Sequence, residues 1–191
     1  MKPILQAIWL VLFLTGCAAA SAGPVVSTGE RYNATAQDDG NYQLGAGDKI
    51  RITVFNEETL SGEFSVGSEG TVSLPLIGDV SAKKKTPQQL ATEVQQKLAD
   101  GYLREPRVSI EVSQYRPFFI LGEVKAPGQY PYASGMTVMN AIATAQGFTP
   151  RAAKKVVYVR KEGTNTEIPM ALTPTLRVYP GDTIRLGERY F

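Results

Sequence analysis

Gly45-Ala46-Gly47-Asp48-Lys49-Ile50-Arg51-Ile52-Thr53-Val54 is the stretch on which the fold of this chain turns. Gly-Ala-Gly-Asp is turn chemistry, because an Asp side chain accepts hydrogen bonds from backbone N–H groups close by and glycine bends freely. Beyond it Ile50, Ile52 and Val54 alternate with Lys49, Arg51 and Thr53, the period-2 pattern of a strand with one buried face. The device returns near the other end. Pro180-Gly181-Asp182-Thr183-Ile184-Arg185-Leu186 echoes Ala46-Gly47-Asp48-Lys49-Ile50-Arg51-Ile52. Both Asp residues are expected to make turns rather than to do chemistry.

Between the two copies lie further elements. Val66, Val72, Leu74 and Leu76 continue in strand style, interrupted by Gly67, Gly70, Pro75 and Gly78. A helix follows, with Thr86 as N-cap, Pro87 at N1 and Gln89 at N3 forming a capping box. Its buried stripe is Leu90, Val94 and Leu98, and Gly101 stops it. Val108, Ile110 and Val112 alternate with Ser109, Glu111 and Ser113, another one-sided strand. Arg116-Pro117 punctuates the chain and is taken as a domain boundary. Phe118 to Val124 is a continuous apolar run, expected to be a more deeply buried strand. Ala126-Pro127-Gly128 is a turn into a short strand, Gln129 to Tyr132. Thr137 can cap a second helix, with Val138, Ala141, Ile142 and Ala145 inward and Gly147 ending it. Lys155 to Arg160 reads as a strand. The expected fold class is α+β: two small mixed-strand units, each with one helix against a sheet.

The amino-terminal residues carry a different message. Met1-Lys2 is a positive start, and Ile4 to Leu14 an apolar run of about 11 residues, half of what a membrane-crossing helix needs. That is the pattern of a signal peptide. Leu14-Thr15-Gly16-Cys17 resembles the bacterial lipobox, in which Cys17 is acylated and becomes the mature amino terminus. Residues 18–41 are small and polar without an apolar period, as in a flexible tether. The organisation expected is therefore signal peptide 1–16, lipidated tether 17–41, first domain 42–115 and second domain 116–191.

Composition narrows the function. The 191 residues include no His and one Cys, and Lys and Arg (20) nearly balance Asp and Glu (18). Without His the usual general base and the Ser-His-Asp arrangement are absent. A single Cys permits no intrachain disulfide and no Cys-rich metal site, and a net charge of +2 does not suggest nucleic acid as partner. Glu57-Glu58, read as extended, would point to opposite faces and make a poor acid–base pair. Lys83-Lys84-Lys85 precedes a helix N-terminus, where the dipole disfavours cations, and is expected to be solvated. Arg151, Lys154 and Lys155 are placed between helix and strand. No catalytic or metal-binding residue is expected.

Several stretches together resemble one family. Tyr42 to Phe55 and Gly70 to Val80 resemble the N-terminal domain of Wza-type polysaccharide export lipoproteins. Leu121 to Tyr130, Thr137 to Ile142, Ala145 to Phe148 and Val178 to Ile184 resemble a soluble-ligand-binding β-grasp domain. The turn motifs that carry the likeness contain Gly45, Gly47, Asp48, Gly78, Asp79, Gly122, Pro127, Gly128, Gly181 and Asp182. The resemblance implies a non-enzymatic protein on the outer membrane, lipid-anchored through Cys17 and facing the periplasm. It implies rings, often octamers, that meet an inner-membrane co-polymerase and pass exopolysaccharide or capsule polymer, with no cofactor beyond the lipid. Larger relatives carry a second β-grasp domain and a C-terminal amphipathic helix. Here the resemblance implies either a pore supplied by another protein, such as a separate outer-membrane β-barrel, or a ring that seals against the outer membrane from below. Two other readings compete: a monomeric lipoprotein that binds a small ligand through its β-grasp domain, and a glycan-cleaving enzyme, for which no convincing carboxylate pair is found.

Overall fold

The computed structural model describes residues 42–189. Strand β1 (Lys49–Val54) forms the centre of a three-stranded antiparallel sheet, flanked by β2 (Gly62–Ser65) and β5 (Val108–Gln114). Its alternation is realised residue by residue, with Ile50, Ile52 and Val54 buried and Lys49, Arg51 and Thr53 exposed. A hairpin of β3 (Thr71–Leu74) and β4 (Gly78–Ser81) and helix α1 (Pro87–Ala99) complete this unit. The Thr86 side chain accepts from the Gln89 N–H at 3.2 Å, and the Gln89 side chain accepts from the Thr86 N–H at 2.9 Å. The capping box thus relieves two of the N–H groups that a helix start leaves orphaned. Leu90, Val94 and Leu98 face inward and share one core with Ile50, Ile52, Val72 and Val80.

The second unit is a five-stranded sheet in the order β7-β6-β10-β8-β9, where β6 is Phe118–Gly122, β7 Gly128–Tyr130, β8 Ala152–Arg160, β9 Glu167–Ala171 and β10 Thr183–Glu188. Its first and last strands, β6 and β10, lie parallel at the centre with Ile120 opposite Ile184, and every other pairing is antiparallel. Helix α2 (Val138–Thr144) packs Val138, Ala141 and Ile142 into one core with Phe118, Ile120, Val157, Ile184 and Leu186. A central parallel pair of first and last strands with a helix across one face is the β-grasp arrangement. The molecule is α+β, a small three-stranded sheet unit with a hairpin and a helix followed by a second sheet unit. Among the described residues no helix is long and apolar enough to cross a membrane.

The structure departs from the sequence pattern at several places, among them Val66, which follows β2 rather than lying in a strand, and β6, which ends at Gly122 short of Val124. Leu76 is no strand residue: it sits in the β3–β4 turn at φ 67° and is 56% exposed, because Pro75 turns the chain and Ile77 N–H bonds back to its carbonyl. The run at β6 is buried on one face alone. Phe119 and Leu121 remain 40% and 43% exposed, since α2 covers just one side of the sheet. Strand β7 stops at Tyr130, before Pro131, which has no N–H to give a ladder. Lys154 and Lys155 lie inside β8 rather than before it. Glu57 and Glu58 are not extended but lead into a single 3-10 turn (Glu58–Leu60), held where Ser61 Oγ donates to the Glu57 carbonyl at 2.8 Å.

Candidate functional site at the junction of the two units

The Gly-Asp turn at the start of β1 is anchored on Arg116, and the turn at the start of β10 on Pro117 and Phe119 just beyond it. Asp48 is fully buried, at 0% exposure, and four donors surround its carboxylate. The backbone N–H of Arg116 donates to Oδ1 at 2.8 Å. Gly45 N–H (2.8 Å), the Tyr42 hydroxyl (2.7 Å) and Arg116 Nη1 (2.8 Å) donate to Oδ2. Arg116, whose side chain is 12% exposed, also donates from Nη1 to the Tyr42 oxygen at 2.6 Å and from Nε to Glu162 Oε2 at 2.9 Å. Glu162 follows β8 in the second unit, so one guanidinium ties both units together. The second Gly-Asp turn closes on the same point, where Gly181 N–H donates to the Pro117 carbonyl at 3.0 Å and Phe119 N–H to the Asp182 carbonyl at 2.9 Å.

Gly45 makes room for this arrangement. A Cβ there would stand 2.8 Å from Arg116 Nη1, so the guanidinium lies directly on the backbone and any side chain would displace it. Burial on its own would lower the pKa of Arg116, yet the Tyr42, Asp48 and Glu162 groups around it outweigh that and raise it. Burial, and after it the Asp48 charge, pushes the Tyr42 phenol well above its ordinary value of 10.0. The neutral phenol is therefore favoured by folding. Stability from this residue is fully present below about pH 10 and declines as pH rises past it, by at most about 1.4 kcal/mol per pH unit. Denaturant titrations between pH 9 and 11 are expected to show a shallower decline for Tyr42→Phe than for the parent chain, and equal slopes would contradict the assignment.

Beside this bolt opens a cleft of about 850 Å³. Tyr42 and Tyr115 meet edge to face on its wall with ring centroids 4.9 Å apart, and Tyr115 and Tyr132 follow at 5.3 Å. Lys83 and Lys84 line it from the first unit, Lys161 and Glu162 from the second. The structure thus places Gly45 and Asp182 of the turn motifs on the wall of one cavity, with Asp48 buried behind it and Gly47 and Gly181 in the same two turns. The remaining motif residues lie elsewhere. Gly78 and Asp79 open β4, where Ser73 Oγ donates to Asp79 Oδ1 at 2.5 Å. Gly122 ends β6, and Pro127 and Gly128 lead into β7. Cys17 lies outside the described residues. Among the described residues no group of three or more His, Cys, Asp or Glu side chains is placed to hold a metal ion.

Comparison with known proteins follows the same division. Residues 36–113 match the family described as polysaccharide biosynthesis/export protein, and residues 117–169 match the SLBB domain. The first unit is thus a polysaccharide export domain and the second an SLBB domain. The chain is 38% identical over 118 residues to the exopolysaccharide production protein ExoF of Rhizobium meliloti (strain 1021), covering 56% of this chain and 28% of ExoF. It is 26% identical over 189 residues to the polysialic acid transport protein KpsD of Escherichia coli, covering 88% of this chain and 34% of KpsD. The chain therefore spans about a third of the length of these relatives.

Arg116, Tyr115 and Glu162 escape a reading of the sequence. An Arg before a Pro carries no periodicity, and its partner Asp48 is 68 residues away. The available signal is the Gly-Ala-Gly-Asp turn itself, whose Asp is buried deeply enough to require a cation.

Proposed function

We propose that this protein is a non-enzymatic, lipid-anchored component of an exopolysaccharide or capsule export apparatus. Acylated at Cys17, it sits on the outer membrane facing the periplasm. Copies assemble side by side into a ring, receive polymer from an inner-membrane co-polymerase and deliver it to a separate outer-membrane pore. The observation that carries this reading is the tandem match of an export unit and an SLBB unit, which Arg116 locks into one body. The names of ExoF and KpsD, which speak of exopolysaccharide production and polysialic acid transport, support it. So does the sheet layout, because β2, β5, β7 and β9 are edge strands that neighbouring copies in a ring would cover.

Deleting the gene is expected to abolish surface polymer. The parent chain restores it in trans, and Cys17→Ala restores much less because the ring is no longer held at the membrane. A deletion strain with normal surface polymer would overturn the proposal. The junction cleft favours a second reading, a monomeric lipoprotein that holds a small ligand. Light scattering of detergent-extracted material separates the two: a multiple of the subunit mass fits the ring, a single chain fits the monomer.

A further inference from the structure

Lys83-Lys84-Lys85 is not a uniform solvated run. Lys85 pairs with Glu93 of α1, whereas Lys83 and Lys84 face the junction cleft. Their backbone is pinned there: Lys83 N–H donates to the Gly70 carbonyl and Lys84 N–H to the Leu44 carbonyl, each at 2.9 Å, with Lys84 at φ 64°. The stem of Lys83 lies across Gly70, so closely that a Cβ on that glycine would stand 2.5 Å from Lys83 Cβ. Lys83 and Lys84 enter no ion pair with the described residues. The carboxylates on this wall, Glu162 and Asp182, and the one buried behind it, Asp48, are already engaged. Asp48 and Glu162 are held by Arg116, and Asp182 is buried in its own turn, accepting from the Tyr179 N–H. The cleft thus joins unneutralised positive charge to a row of three half-buried tyrosines, at a volume typical of a small-molecule site.

We infer that the cleft is a weak subsite for an acidic glycan segment, in which tyrosine rings pack against the C–H faces of sugar rings while Lys83 and Lys84 pair with sugar carboxylates. This rests on the export reading and deepens it. Aromatic rings give apolar contact area with a polar tip, and compact ammonium groups on flexible stems meet carboxylates at many angles without demanding one geometry. Exposed ion pairs contribute little each, so the site holds a sliding polymer only loosely, as a conduit requires.

The test is titration of the full-length protein in detergent with α-1,4-linked tetragalacturonate, and with maltotetraose as its neutral counterpart. Tetragalacturonate is expected to bind with an affinity that falls as salt rises, to perturb Tyr42, Tyr115 and Tyr132 resonances, and to outcompete maltotetraose by about tenfold. K83E/K84E changes two exposed side chains and is expected to weaken tetragalacturonate binding by at least about tenfold. K83Q/K84Q, which removes charge without reversing it, is expected to do so by a smaller factor, and it keeps the test open should the double Glu variant misfold. Unchanged binding in both variants, preference for maltotetraose, or perturbed resonances remote from the cleft overturns the inference. Because the titration uses purified protein, its failure leaves the deletion phenotype as it was. A deletion strain with normal surface polymer likewise leaves the titration unaltered.

Discussion

Arg116→Ala is expected to lower the free energy of unfolding by about 3–5 kcal/mol, a large part of what a domain of this size possesses. The reason lies with Asp48. Its carboxylate is shut away from water, and with the guanidinium gone it keeps three neutral donors but no cation. The cost is that of an uncompensated buried charge rather than the net value of the pair. Glu162 and Tyr42 lose a partner as well. Arg116→Lys is expected to fall in between, since an ammonium cannot reach Asp48, Tyr42 and Glu162 with a fixed fork. The double variant Asp48→Ala/Arg116→Ala should be less destabilised than the sum of the single ones, because the two side chains act as one unit. Chemical denaturation of the parent, Asp48→Ala, Arg116→Ala, Arg116→Lys and the double variant decides it. A loss below about 1 kcal/mol for Arg116→Ala, the level of an ordinary surface ion pair, would refute the bolt.

Gly122→Ala is expected to be as damaging, at about 3 kcal/mol or more, and Gly122→Val to yield insoluble protein. Gly122 lies at φ 83°, where side chains are strained, and a Cβ there would meet the Leu186 carbonyl oxygen at 2.0 Å. Neither can give way cheaply. Leu186 belongs to β10, and its carbonyl accepts the Glu123 N–H at 3.1 Å, so moving it opens the central parallel pair. Gly128→Ala is the control. That glycine has no positive φ, its Cβ would lie 4.0 Å from the Tyr130 ring, and the change should stay within about 1 kcal/mol. Thermal unfolding and soluble yield of the variants side by side measure the contrast, and equal behaviour of the two alanines would count against a close approach at Gly122.

Elements that announce themselves locally were legible. The alternation in β1 and the capping box of α1 each need a few neighbouring residues, and both appear as their patterns predict. What escaped depends on tertiary placement. The apolar run of β6 reads as buried on both sides, but whether Phe119 and Leu121 are covered depends on where α2 packs, which the run itself does not encode. Leu76 reads as a strand residue because its apolar character hides a turn that only the backbone reveals. Of the junction, Asp48 and its turn were visible, though as a local device. That the same carboxylate would secure the far unit through Arg116 follows from a pairing no short window contains.

The parallel pairing of β6 with β10 bears on the order in which the chain assembles. β6 begins at Phe118 and its hydrogen-bonded neighbour at Thr183, so the middle of the second sheet stays vacant until the carboxyl-terminal strand arrives. Contacts so distant along the chain form slowly. On a polypeptide emerging amino end first, the unit around β1 can close by Gln114 while the second remains without its keystone. Truncation ahead of Thr183 would remove that keystone, leaving β6 and β8 as bare borders with nothing between them.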